Sequence, residues 1–241
     1  MGYRTRTRPG RLALLDQAMQ ALEAPLLQRR DGLWASAPVV DVGVGARPWT
    51  TVELAACVAP LPVIGVDHSA DVLRHARAFE TPSLSFVSGS FSLPVQHARL
   101  VRVMNVLRDG PPEAVEGLHA QLGRSLLVGG LLIEGSCAPD GAAGTAHWLR
   151  KTPTGLVREG LLLWLGGARG LHPMALRERL PRDLLADPGH PIYALLDRWA
   201  EAVERLPAGS DRLATAAAFI DRLTPVPIPD GEAYKLAWHG P

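Results

Sequence analysis

Residues 38–45 read PVVDVGVG, and the reading of this stretch decides the fold class. Val39, Val40 and Val42 form a short β-branched run in which only Asp41 is polar, and Gly43 and Gly45 close it. An apolar run of this length ended by glycines predicts a buried strand that breaks into a turn. A helical pattern follows. Thr50 with Glu53 three places later makes a capping box, and Val52, Leu54, Ala55 and Val58 supply the apolar positions as far as Pro60.

The unit repeats along the chain. PVIGVD (62–67) is a second apolar strand ending in an acid, and Ser69 is placed to cap a helix carrying Val72, Leu73, Ala76 and Phe79. LSFVSGSF (84–91), ARLVRVMNVL (98–107) and LLIEGSC (131–137) give three more strands. Before the last of them, Pro111, Pro112 and Glu113 open a helix through Val115, Leu118, Leu122 and Leu126, which Gly129 and Gly130 separate from the strand. Five short apolar strands with helices between most of them predict a Rossmann-like, doubly wound α/β fold: a mostly parallel sheet with helices on both faces.

Residues 11–28 predict an amphipathic helix interrupted near Pro25. Beyond Cys137 the rhythm changes. Extended segments at 146–151 and 156–165 are expected to add strands at the sheet edge, followed by helical stretches at 173–180, 192–205 and 211–223, a Pro-rich turn and the terminal AYKLAWHG. The expected organisation is a basic arm and helix (1–30), a ligand-binding core (31–137), and a C-terminal extension (138–241) that completes the sheet and supplies an acceptor pocket, which Trp148, Trp164, Trp199 and Trp238 could line.

Composition narrows the function. The 241 residues carry 25 Lys plus Arg against 24 Asp plus Glu, a net charge of +1, which gives no evidence for a general polyanion binder. Arg4, Arg6, Arg8 and Arg11 crowd the start, either as a phosphate-contacting arm or as a solvated terminus. Cys57 and Cys137 sit in apolar contexts and read as reduced and buried, as in a cytoplasmic protein. The longest apolar run, LLLWLGG (161–167), is too short to span a bilayer, and the start lacks the apolar block of a signal peptide. Neither metal-spaced Cys/His groups nor a GxSxG elbow occurs.

Parallel sheets bind ligands at the carboxyl ends of their strands. Here those ends are Asp41-Val42-Gly43-Val44-Gly45, Asp67, Ser88-Gly89-Ser90 and Asn105. Glycine lets backbone pass close to a ligand, and Asp67 can accept hydrogen bonds from vicinal ribose hydroxyls, so the set suits a nucleoside-containing cofactor. Purely structural roles stand beside this: a tight turn at the glycines, a helix cap at Asp67, a turn residue at Asn105. NAD is the weaker choice, because Pro48 stands where the third glycine of GxGxxG belongs, and no P-loop is present.

With these residues in view, the chain resembles the class I S-adenosylmethionine-dependent methyltransferases, and more closely a set of uncharacterised bacterial members. The resemblance covers about residues 38–137. It implies that Asp41, Gly43 and Gly45 surround the methionine part of S-adenosylmethionine and that Asp67 holds the ribose. It also implies that Asn105 lines the floor below the sulfonium. The family's acid after the third strand is missing from Ser88-Gly89-Ser90-Phe91, so Ser90 is the adenine contact and Phe91 a packing surface. By the same resemblance the activity is methyl transfer to an unidentified acceptor, a small molecule before a nucleic acid, with no obligate protein partner. A non-catalytic nucleoside-binding module and a nucleic-acid methyltransferase using the basic arm are the alternatives; the NPPY motif of some base methyltransferases is replaced by MNVL (104–107).

No catalytic residue is assigned. Glu134 is a candidate base by position, as are His68 and His147. Arg102 and Glu134 lie inside apolar strands, where a charge is costly unless paired, so Arg102 is expected to pair with Asp41 or Glu134 and brace the strand tips.

Overall fold

The computed structural model describes residues 8–166, 172–207 and 212–237. Each apolar run read as a strand is one. β1 (Val39–Val42), β2 (Val63–Asp67), β3 (Leu84–Ser88), β4 (Ala98–Met104) and β5 (Leu126–Cys137) pair in parallel in the order β3-β2-β1-β4-β5. The order reverses between β1 and β4, the place where doubly wound sheets open a ligand crevice.

β6 (Ala143–Thr152) and β7 (Gly155–Gly166) continue the sheet antiparallel, and β9 (Gly231–Ala237) and β8 (Leu223–Val226) bring it to nine strands among the described residues. The extended segments expected near 146–151 and 156–165 are therefore strands, as predicted. They extend the sheet beyond β5 without a break.

Side-chain alternation divides the core between the two faces. Val39, Leu100, Leu131, Ile133 and Trp148 face α1 (Ala13–Gln28), α2 (Trp49–Cys57) and α3 (Ala70–Ala76), where Leu15, Met19, Leu54 and Leu73 meet them. Val40, Val42, Val101, Val103 and Leu132 face α4 (Val115–Gly123) through Val115 and Leu122.

Further along this second face, Leu161, Leu163 and Leu165 of β7 are covered by the C-terminal helices. These are a 3₁₀ segment at Pro173–Arg179, α5 (Arg182–Leu185), α6 (Pro191–Arg205) and α7 (Arg212–Ala217). In α6, Ile192, Leu195, Leu196, Trp199 and Val203 recur at three and four residues and are all buried.

Local expectations fail at three places. The Thr50–Glu53 capping box does not form: α2 begins at Trp49 after Pro48, and Glu53 Oε1 accepts the Gly10 N–H at 2.7 Å instead. Gly129 and Gly130 lie inside β5 rather than before it, at a register shift opposite Ala98 and Leu100. The helix expected over 211–223 ends at Ala217, and Leu223–Val226 is strand. Ser69 does cap α3, its Oγ accepting the Val72 N–H.

Candidate functional site

The register brings the strand ends to one edge. Val42 lies beside Val66 and Val103, and Val103 beside Glu134, so the residues that follow β1, β2, β4 and β5 share the same rim. Both glycines after β1 take left-handed conformations, Gly43 at φ +86° and Gly45 at φ +72°, which favour a residue without Cβ.

Asp67 ties this bend to its neighbours. Its Oδ2 accepts the Gly45 N–H at 3.1 Å and its Oδ1 accepts the Ser69 N–H at 2.9 Å. Its own carbonyl accepts the Gly89 N–H at 3.0 Å. The turns after β1, β2 and β3 thus meet at Asp67, the first two at its buried carboxylate and the third at its carbonyl, the juxtaposition that a ligand reaching both the glycine bend and the acid requires. An ionised carboxylate offers about four acceptor sites, and the two backbone amides use only part of that capacity.

Asp41 has a different place. Its Oδ1 and Oδ2 accept Arg102 Nε at 2.8 Å and Nη2 at 3.1 Å, and Thr51 Oγ1 donates to Oδ2 at 2.7 Å. Arg102 also donates to Asp16 Oδ1 at 2.5 Å and to the Thr50 carbonyl at 2.8 Å. The residue expected around the methionine part is therefore a buried brace beneath the bend, and the expected Arg102–Asp41 pair exists. Sequence reasoning missed Asp16, the second partner, which α1 contributes from 86 residues away.

Burial of this cluster has electrostatic consequences. Burial pushes the Asp16 carboxyl up to about 6 against the opposing pull of Arg102. Burial works against the Arg102 charge, but Asp16 and Asp41 more than offset it and hold the guanidinium more firmly protonated than usual.

At the β4 tip, Asn105 has φ +62°, and its side chain joins β4 to β5: Oδ1 accepts the Cys137 N–H at 2.9 Å and Nδ2 approaches Cys137 Sγ at 3.4 Å. Val106 then packs over the bend; a Cβ at Gly43 would lie 2.5 Å from Val106 Cγ2. So the glycine is needed for a close approach by the chain's own side chain. Ser90 is exposed beyond β3, and Phe91 is half-buried against the α4-side core.

Beyond the tips, Arg108 Nη1 donates to Ser136 Oγ at 2.8 Å and Arg182 Nε to the Gly110 carbonyl at 2.8 Å, which draws α5 toward the loop after β4. The three described tryptophans named as pocket candidates are core residues. Trp148, Trp164 and Trp199 are fully buried and donate to Glu23, the Gly141 carbonyl and the Leu213 carbonyl respectively. Trp238 lies outside the described residues, as do Arg4 and Arg6 of the basic arm. Arg8 and Arg11 fold back on the end of β5, donating to the carbonyls of Pro139, Ala138 and Cys137.

Of the three base candidates, His68 stands beside the bend and the other two lie apart from it. His68 is largely exposed, its Nδ1 3.5 Å from Asp67 Oδ1. Glu134 and His147 are buried on the α4 face, where Glu134 Oε2 lies 3.2 Å from His119 Nε2 and His147 Nε2 bonds Asp183 at 2.8 Å. Among the described residues no group of three His, Cys, Asp or Glu side chains is arranged to hold a metal, and no helix is long and apolar enough to cross a membrane.

No family model matches the sequence, and no curated protein matches it. Solved structures similar to the chain include a plantazolicin methyltransferase, BpumL, in complex with a desmethylplantazolicin analogue and S-adenosylhomocysteine (14% identity, TM-score 0.43, 56% of this chain and 50% of that one). Coclaurine N-methyltransferase is similar at 17% identity and TM-score 0.38, over 51% of this chain and 36% of the other. A complex between the Haloferax volcanii Trm112 methyltransferase activator and a methyltransferase is similar at 22% identity and TM-score 0.35, over 52% of this chain and 55% of that one. This chain spans about half or less of those solved chains, and at these TM-scores the likeness carries no argument about activity.

Proposed function

We propose that the chain binds S-adenosylmethionine across the tips of β1, β2 and β4 and transfers its methyl group to a small-molecule acceptor. The junction at Asp67 carries this reading: one buried carboxylate holds the Gly45 and Ser69 amides while keeping acceptor capacity for a vicinal diol. The donor set fits the cofactor at Asp67, whereas at Gly43 the chain fills the space itself with Val106.

S-adenosylmethionine would supply a methyl group already activated for displacement by its sulfonium. Asp67 would hold the ribose, the Gly43–Gly45 bend the amino-acid part, and exposed Ser90 the adenine. Asp41 would act through the bend, holding it in place from beneath. Asn105 would shape the floor by its left-handed backbone, its side chain being engaged with Cys137. Displacement at an activated carbon asks the protein mainly for alignment and exclusion of water, so a nitrogen or sulfur acceptor needs no base at the tips. We place the acceptor side near Arg108, Ser136 and the 173–185 segment, in a cytoplasmic protein whose two cysteines are free.

A binding module without turnover is the second reading, favoured by the engagement of Asn105 with Cys137 and by Val106 against Gly43. Calorimetry with S-adenosylmethionine, S-adenosylhomocysteine and NAD tests the cofactor. We expect micromolar binding of the first two and none of NAD, weakened about tenfold or more in Asp67→Ala and less in Asp67→Asn, which keeps one acceptor oxygen. Absence of binding by both sulfur compounds would overturn both readings. Transfer of labelled methyl in an acceptor screen then separates enzyme from module.

A further inference from the structure

The α4 face of the sheet buries more ionisable groups than packing requires. Glu134 on β5 and His147 on β6 are register neighbours at 1% and 0% exposure, in positions where leucine would avoid any desolvation cost. Each is matched by a partner from a covering helix: Glu134 by His119 of α4, and His147 by Asp183 of α5, which Arg158 Nη2 also contacts at 2.9 Å. The two imidazoles meet edge to face, their centroids 5.8 Å apart.

This cluster borders a cavity of about 730 Å³ between α4, α5 and strands β6 and β7, lined by His119, Arg158 and Asp183 among others. The volume is in the usual range for a small-molecule site. None of Asp41, Gly43, Gly45, Asp67, Ser90 or Asn105 lines it. It is therefore separate from the rim of the proposed cofactor.

The cavity has two unlike poles. At one, His119 donates from Nε2 to Glu134, and its Nδ1 has no hydrogen-bond partner among the described residues. An imidazole with Nε2–H engaged presents Nδ1 as an acceptor. At the other pole stand Lys151 and Arg124, neither of them ion-paired among the described residues. Lys151 is four residues beyond His147 on β6, roughly 13 Å along the strand. Leu149, on the same strand face, and Leu156 provide apolar wall between the poles. Asp183 at the inner end is charge-paired with Arg158 and hydrogen-bonded by His147, and the two other acids of the lining, Glu113 and Glu116, belong to the start of α4, away from Arg124 at its end.

We propose that this cavity is a second ligand site, for a hydroxylated apolar carboxylate. The carboxylate rests on Lys151 and Arg124, the apolar body lies over Leu149 and Leu156, and the hydroxyl donates to His119 Nδ1, whose ring Glu134 orients.

Calorimetry on the full chain at neutral pH, without any nucleoside, tests it with para-hydroxyphenylpropanoate, phenylpropanoate and para-hydroxyphenylpropanamide. The hydroxy acid is expected to bind with Kd below about 1 mM, and the other two about tenfold more weakly. Lys151→Met, a change at a partly exposed site, should abolish the preference for acid over amide. His119→Asn should reduce the preference for the hydroxylated acid. Asp67→Ala should leave binding of the probe unchanged, so the outcome does not depend on the cofactor. No binding of the hydroxy acid at about 10 mM, equal binding of acid and amide, unchanged affinity in Lys151→Met, or loss of the probe in Asp67→Ala would each overturn the proposal.

Discussion

On the face packed by α1 and α2, Arg102 is sealed between Asp16, Asp41 and the Thr50 carbonyl. On the face packed by α4 and α5, Glu134 and His147 are as deeply buried, yet their helical partners His119 and Asp183 line a cavity. Both clusters sit close to the strand tips, and both join sheet to helix. The contrast teaches where buried charge acts as a brace and where it can also serve a ligand: the sealed cluster satisfies its own groups, while the bordering one keeps an imidazole nitrogen toward open space.

Breaking the sealed cluster should have the largest effect. Arg102→Met leaves Asp16 and Asp41 buried without their cation, a loss of the order of 3–5 kcal/mol. Urea unfolding should show it as a lowered midpoint with little change in slope. Adding Asp16→Asn and Asp41→Asn removes the uncompensated charges and should recover a large part of the loss. A cost below about 1 kcal/mol for Arg102→Met would mean that the cluster braces nothing.

The bordering cluster should yield less. His147→Gln removes the imidazole that fixes Asp183, at a cost of about 1–3 kcal/mol at neutral pH. The change should also speed proteolysis within 173–185 more than elsewhere, because α5 loses a tie to the sheet. Uniform acceleration along the chain would show that the pair supports the whole fold and that the two faces do not differ in this respect.

The fold was legible because parallel strands buried on both faces leave near-continuous apolar runs, each ended here by glycine or a polar residue. The sequence pattern understates β5 because Gly129 and Gly130 look like a break. In the structure they sit within the strand, where a Cβ at Gly130 would lie 3.0 Å from the Arg99 carbonyl oxygen. The capping box failed because Glu53 was taken by Gly10, 43 residues away, a tertiary contact that overrides a local signal.

At the site, the glycine bend and Asp67 could be read because strand-end position is a one-dimensional property. Val106 against Gly43 could not, since it depends on how the loop after β4 folds back. Nor could the carboxylate–histidine pairs be matched from sequence, where their members stand 15 and 36 residues apart and only the sheet and its covering helices bring them together.

The smallest effect concerns pH, and here the two faces should differ in sign. Asp16 has its carboxyl raised by burial to about 6, above the ordinary 3.8. Its contribution is fully present below about pH 4, and it is lost as pH rises through about 6, because the unfolded chain ionises this group more easily. His147 is lowered by burial from 6.5. Its contribution is present above about 6.5 and falls away as acid protonates the unfolded state first. Unfolding midpoints measured from about pH 4 to 8 for wild type, Asp16→Asn and His147→Gln isolate each group by difference. The wild-type advantage over Asp16→Asn should shrink as pH rises, and the advantage over His147→Gln should grow. Parallel differences would show that one of the two clusters is far more hydrated than its enclosure implies, and a flat profile for Asp16→Asn would mark the sealed cluster as the open one.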